Sequence, residues 1–134
     1  MAKQFSDCLQ RYNLPEFERE WLTVIRGIEK ESLRISPDGH ISLSDHPVAL
    51  GSALTNPYIT TDFSEALLEF ITPAFQDIDE CLRVLENIHR FSIQNLENEE
   101  MLWVTSMPCP LAADAEIPIA RYGNSNIGKL KNLY

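Results

Sequence analysis

One change of pattern constrains this chain more than any other feature. From Ile59 to Thr72 it runs ITTDFSEALLEFIT, rich in strand formers, and Pro73 ends the run. From residue 77 to 98 the pattern changes, and Ile78, Cys81, Leu82, Leu85, Ile88 and Leu96 recur at helical spacing. The first segment predicts a strand, a break near Ser64-Glu65, and a second strand. The second predicts one long helix, with Asp77 as N-cap and Glu80 at the capping-box position. His89 falls near the apolar face and reads as a core or rim histidine.

The rest of the chain is organised around these two elements. Trp21, Thr23, Val24, Ile25 and Ile28 predict a strand over residues 21–35. Pro37-Asp38-Gly39 predicts a tight turn, and Ile41-Ser42-Leu43 the return strand of a hairpin. Residues 47–58 read as a short helix or loop, and residues 5–20 as one or two short helices. Trp103-Val104-Thr105 reads as a short strand before Pro108 and Pro110. A polar loop follows over 118–128, and a helix begins at Lys129. The pattern contains no β-α-β alternation, no G-x-G-x-x-G and no Walker loop. The expected class is α+β, with antiparallel strand pairs beside one long helix.

Composition narrows the function classes. The 134 residues amount to one domain or part of one. Eleven basic residues are scattered in a chain of net charge −9, which argues against a nucleic-acid surface. No apolar run approaches the ~20 residues of a membrane span. The N-terminus lacks the apolar core of a secretion signal. Cys8, Cys81 and Cys109 are odd in number and lack C-x-x-C spacing, which predicts free thiols in a reducing cytoplasm. His40, His46 and His89 do not pair with them at zinc-ligand spacing.

Three places could carry chemistry. Glu29 and Glu31 alternate on a strand and share a face, with Cα atoms roughly 6.6 Å apart. Two such carboxylates could each reach one ion of a metal pair ~3.5–4 Å apart; the plainer reading of these residues alone is a solvent face, with Lys30 and Arg34 on the other side. Asp62 and Glu69 are seven apart, so one unbroken strand would point them to opposite faces, and the break near Ser64 could restore a common one. Glu69 stands among Leu67, Leu68, Phe70 and Ile71, where a carboxylate is costly to bury unless paired or metal-bound; taken alone, the motif reads more simply as an outward Glu on a half-exposed strand. Tyr122-Gly123-Asn124-Ser125-Asn126-Ile127-Gly128-Lys129 offers donors for a phosphate or carboxylate, and reads equally as a plain surface loop.

The stretch Arg26-Gly27-Ile28-Glu29-Lys30-Glu31-Ser32-Leu33-Arg34 resembles the R-G-x-E-x-E-x-L-R segment of proteobacterial glutamate–cysteine ligases. The resemblance continues through His46-Pro47 and Ala49 to Thr55. It is strongest at Ile59 to Phe63 and Glu65 to Pro73, and returns at Ser106-Met107-Pro108-Cys109, at Tyr122 to Asn126 and at Leu133-Tyr134. It implies an antiparallel sheet of the glutamine synthetase-like type, curved into a funnel. It also implies a reaction: ATP phosphorylates the γ-carboxylate of L-glutamate, and the amine of L-cysteine then displaces phosphate. By position, the resemblance assigns Glu29, Glu31, Asp62 and Glu69 to Mg2+, and makes Phe63 and Tyr134 walls of the cysteine pocket.

Family members are much longer. The expectation is therefore that residues 1–134 form the N-terminal part of a truncated catalytic domain, with other ligands and most of the nucleotide pocket further along. Missing strands would leave open sheet edges that invite self-association. The competing expectations are an inactive or binding module derived from the ligase, and an unrelated α+β domain.

Overall fold

The computed structural model describes residues 6, 7, 10, 24–122, 125–131 and 133. The expected helices within residues 5–20 and the start of the expected strand at residues 21–23 lie almost wholly outside these. Strand β1 covers Glu29–Ile35, β2 Ile59–Thr61, β3 Leu67–Ile71 and β4 Met101–Leu102. Helix α1 covers Ile78–Gln94 and α2 covers Asn126–Lys131. Among the described residues the strands form one antiparallel sheet in the order β2-β3-β1-β4.

Alternation along the strands gives the sheet two unlike faces. Leu68, Phe70 and Ile59 point to one face and are buried against α1 through Ile88, with Val84 and Leu85 beside it. His89 meets the Phe70 ring edge-on at 4.7 Å, a rim position as expected. Glu29, Glu31, Leu33, Leu67, Glu69 and Ile71 alternate with the core residues and form the opposite face. A second small core holds Ile35, Ile41, Ala66 and Cys109.

The expected strand–break–strand over 59–72 is a reversal: β2 and β3 pair antiparallel, and the connection includes Ser64 and Glu65. The long helix forms but is shorter than the expected 77–98, so Leu96, part of the expected period, lies beyond its end. Its cap differs in detail, because Asp77 accepts from the Asp79 backbone N–H at 2.8 Å, while Glu80 pairs with Arg83 at 3.5 Å. The helix ends at Gln94. Asn98 (φ 53°) and Glu99 (φ 58°) then adopt the left-handed region and turn the chain back toward β1.

Three expected strands are corrected. Among the described residues of the run over 21–35, the strand is regular only from Glu29, with one bridge from Arg26 to Phe75 before it. The Pro37-Asp38-Gly39 turn forms, with Gly39 at φ 87°, but the return strand is reduced to one bridge between Ile35 and Ile41. The Ile41 backbone N–H is taken by Pro110 O at 2.9 Å, and the Arg34–Ile35 end of β1 pairs with β4. That pairing shifts the strand expected at Trp103–Thr105 to Met101–Leu102, although the Trp103 N–H still donates to Leu33 O at 2.8 Å. The last helix starts three residues before Lys129. No helix of the described residues is long and apolar enough to cross a membrane.

Candidate functional site

The register of β1 on β3 decides how the acidic residues meet. Thr72 N–H donates to Ile28 O at 2.9 Å and Arg34 N–H to Ala66 O at 2.8 Å. Both are hydrogen-bonded pairs of an antiparallel ladder, so the intervening odd-numbered residues of β1 are in non-hydrogen-bonded pairs. Glu31 lies directly opposite Glu69, and Glu29 opposite Ile71. In such pairs the Cα atoms approach to about 4.5 Å and the side chains stand on one face. Glu69 also has Glu29 on its diagonal.

Asp62 joins them from the other side. Its backbone N–H donates to Leu67 O at 3.0 Å, extending the β2–β3 register by one pair beyond Thr61 and Leu68. Asp62 therefore shares the face of Leu67 and Glu69 and sits diagonal to Glu69, roughly 7 Å away. All four acidic residues singled out in the sequence belong to one sheet face, with Glu69 at the centre. Glu29 and Glu31 are exposed, whereas Asp62 and Glu69 are half-buried and engaged with their surroundings.

The donor set is all oxygen, which suits a hard divalent ion such as magnesium. Among the described residues no three carboxylate, imidazole or thiol groups converge on one point. An ion here would take one or two carboxylates from this chain and fill its shell with water or phosphate oxygens, the usual arrangement for magnesium. Beside Glu31 the same face opens into a recess of about 410 Å³ lined by Leu33, Leu67, Trp103, Met107 and Leu111.

Phe63 follows Asp62, is half-exposed, and lines a separate cavity of about 510 Å³ with Ile41, Asp114, Ile117 and Ile119. Tyr134 lies outside the described residues. Of the polar loop, Tyr122 hydrogen-bonds through its hydroxyl with Thr61 Oγ1 at 2.9 Å and Thr60 Oγ1 at 3.2 Å. Thr60 is the β2 partner of Glu69, so this loop reaches the edge of the acidic face.

Two functional features escape a reading of the sequence. Arg34 is fully buried behind β1 and donates to Glu100 at 2.8 Å, to Ser44 O at 2.8 Å and to Glu65 O at 3.0 Å. Glu65, read only as part of a break, is buried and accepts the backbone N–H groups of His46 (3.0 Å) and Arg121 (2.7 Å). A signal for Glu65 existed in its place before Ala66-Leu67-Leu68, where a carboxylate must find partners.

The sequence pattern of the family described as Glutamate-cysteine ligase matches residues 10–134. The chain belongs to the glutamate–cysteine ligase family. It is 52% identical to the glutamate–cysteine ligase of Azotobacter vinelandii over 134 residues, covering all of this chain and 25% of that protein. It is 58% identical to the Janthinobacterium ligase over 109 residues, covering 81% of this chain and 20% of that one. The crystal structure of the Francisella tularensis glutamate–cysteine ligase in complex with AMP superimposes with a TM-score of 0.76 at 42% identity, covering 82% of this chain and 22% of that one. The chain thus spans about a quarter of the length of these ligases.

Proposed function

We propose that these residues form the N-terminal part of a ligase catalytic domain that uses ATP to join the γ-carboxylate of L-glutamate to the amine of L-cysteine. The product is γ-glutamylcysteine, and the reaction is the first step of glutathione biosynthesis in the cytoplasm. One observation carries the reading: Glu31 stands opposite Glu69, with Glu29 and Asp62 on the same face. Carboxylates directly opposed across strands repel one another, and a cation would turn that repulsion into binding.

In this reading Glu29, Glu31, Asp62 and Glu69 hold magnesium. When bound, magnesium neutralises the phosphate oxygens during transfer to the γ-carboxylate. The carboxylates fix where the triphosphate lies, and β1 and β3 supply the rigidity, since the opposed pair is held by the ladder on both sides. Phe63 would offer a ring face to the cysteine thiol, a favourable sulfur contact, and the family resemblance assigns the second wall to Tyr134. The AMP in the Francisella tularensis ligase supports ATP as the phosphoryl donor.

The test joins residues 1–134 to the downstream remainder of the Azotobacter vinelandii ligase and follows γ-glutamylcysteine by mass spectrometry. Activity is expected, and Glu31→Gln or Glu69→Gln should lower kcat/KM by about a hundredfold or more at limiting magnesium, as loss of a charged transition-state partner does. A folded chimera without activity would sink the ligase reading. An active chimera indifferent to both substitutions would sink the metal assignment alone.

A further inference from the structure

Glu65 lies outside the acidic face, yet it is 4% exposed and joins three segments. Its two carboxylate oxygens accept one backbone N–H from each of two loops, His46 at 3.0 Å and Arg121 at 2.7 Å. Its own N–H donates to Pro118 O at 2.8 Å, and Ala120 N–H donates to Phe63 O at 3.0 Å. Residues 63–65 and 118–120 are therefore paired around the Ser64–Ile119 bridge, and the Glu65 side chain extends that pairing by one residue. Beyond it, Tyr122 reaches Thr60 and Thr61 beside Glu69.

We propose that Glu65 is a positioning residue that clamps the 118–122 loop onto the Asp62–Phe63 turn, setting the cysteine side of the site relative to the acidic face. The inference rests on the ligase reading above. A carboxylate is required because both incoming groups are donors: glutamine has one acceptor oxygen and would present its amide N–H₂ to one of them. Aspartate keeps the charge but is one methylene too short to span both loops. Neither substitution touches the acidic residues.

Two measurements decide the matter. In the chimera, Glu65→Gln should raise the KM for cysteine about tenfold, the loss expected for one hydrogen bond to a charged group. The KM for ATP and kcat should stay within about twofold of the unsubstituted chimera, and Glu65→Asp should behave alike. In the 134-residue chain, Glu65→Gln should speed trypsin cleavage after Arg121 about tenfold, because cleavage follows the open population of the loop. Unchanged cysteine KM with unchanged Arg121 cleavage overturns the proposal. So does a parallel fall of kcat, both KM-derived efficiencies and melting temperature, which would make Glu65 a stability residue only. An inactive unsubstituted chimera counts against the ligase reading, and the Arg121 cleavage rate then decides for or against the clamp.

Discussion

Arg34 illustrates how much a single side chain can organise. It ends the R-G-x-E-x-E-x-L-R segment and points away from the acidic face, as alternation predicts, but it is fully buried and not solvated. Its partner Glu100 is 66 residues away and is also bound by the Ser42 hydroxyl. No local pattern could reveal that pairing, because it exists only once the Asn98–Glu99 turn brings Glu100 back to β1. Removing one partner of a buried pair leaves an uncompensated charge, so Arg34→Met should destabilise the chain by about 3–5 kcal/mol in urea unfolding. Adding Glu100→Met should recover much of that loss, and a double-mutant cycle measures the coupling.

Two histidines predict a pH dependence at the same scale. Burial lowers the His46 pKa, helped by the Arg34 charge, and burial lowers that of His89, helped by Lys30. The unfolded chain titrates near the ordinary value of about 6.5, so below it the unfolded state binds more protons than the folded one. Stability is then fully present above about pH 6.5 and is lost as pH falls toward the depressed folded values. Thermal melts at pH 7.5 and 5.5 should show a lower Tm in acid. His46→Gln combined with His89→Gln should reduce that difference, and an undiminished difference would assign it to other groups.

Among the elements, α1 is the one whose start was most nearly readable, while its end at Gln94 falls short of the expected 98. Its apolar period and its Asp77 cap are carried by neighbouring residues, so tertiary context had little to change. Asp77→Ala removes the acceptor for the Asp79 N–H and should cost about 1 kcal/mol, checked by far-UV circular dichroism melts. Ile88→Ala opens the core between α1 and the sheet and should cost about 2–5 kcal/mol. The short β4 was misplaced by two residues for the opposite reason. Met101-Leu102 has little strand signal of its own and becomes a strand only because β1 offers Arg34 and Ile35 as partners.

At the scale of the whole molecule, β2 and β4 are the sheet edges. The β2 edge is partly blocked, since Asn56 Oδ1 accepts the Ile59 N–H and the Tyr122 hydroxyl donates to Thr61 O. No partner strand lies beyond β4 among the described residues, and Val104 and Met107, just past it, are 90% and 71% exposed, so that edge lies beside apolar surface. We expect the 134-residue chain to self-associate with increasing concentration in sedimentation velocity, through the β4 side. A single monomeric species at every concentration would remove that expectation. Val104→Lys should weaken the association.

By itself the sequence determined two strands with a break between them over 59–72 and a long helix starting just after Asp77, because period, proline and capping act between near neighbours. It also singled out Glu29, Glu31, Asp62 and Glu69, since alternation and an apolar setting mark such carboxylates. Only the tertiary structure decided that these four share one face around Glu69. That outcome depends on register: a slip of one residue between β1 and β3 would move Glu31 from the Glu69 side of the sheet to the α1 side. Contacts between distant segments fix the register, among them the buried Leu68 and Phe70 against Ile88 and the anchoring of Arg34 on Glu100.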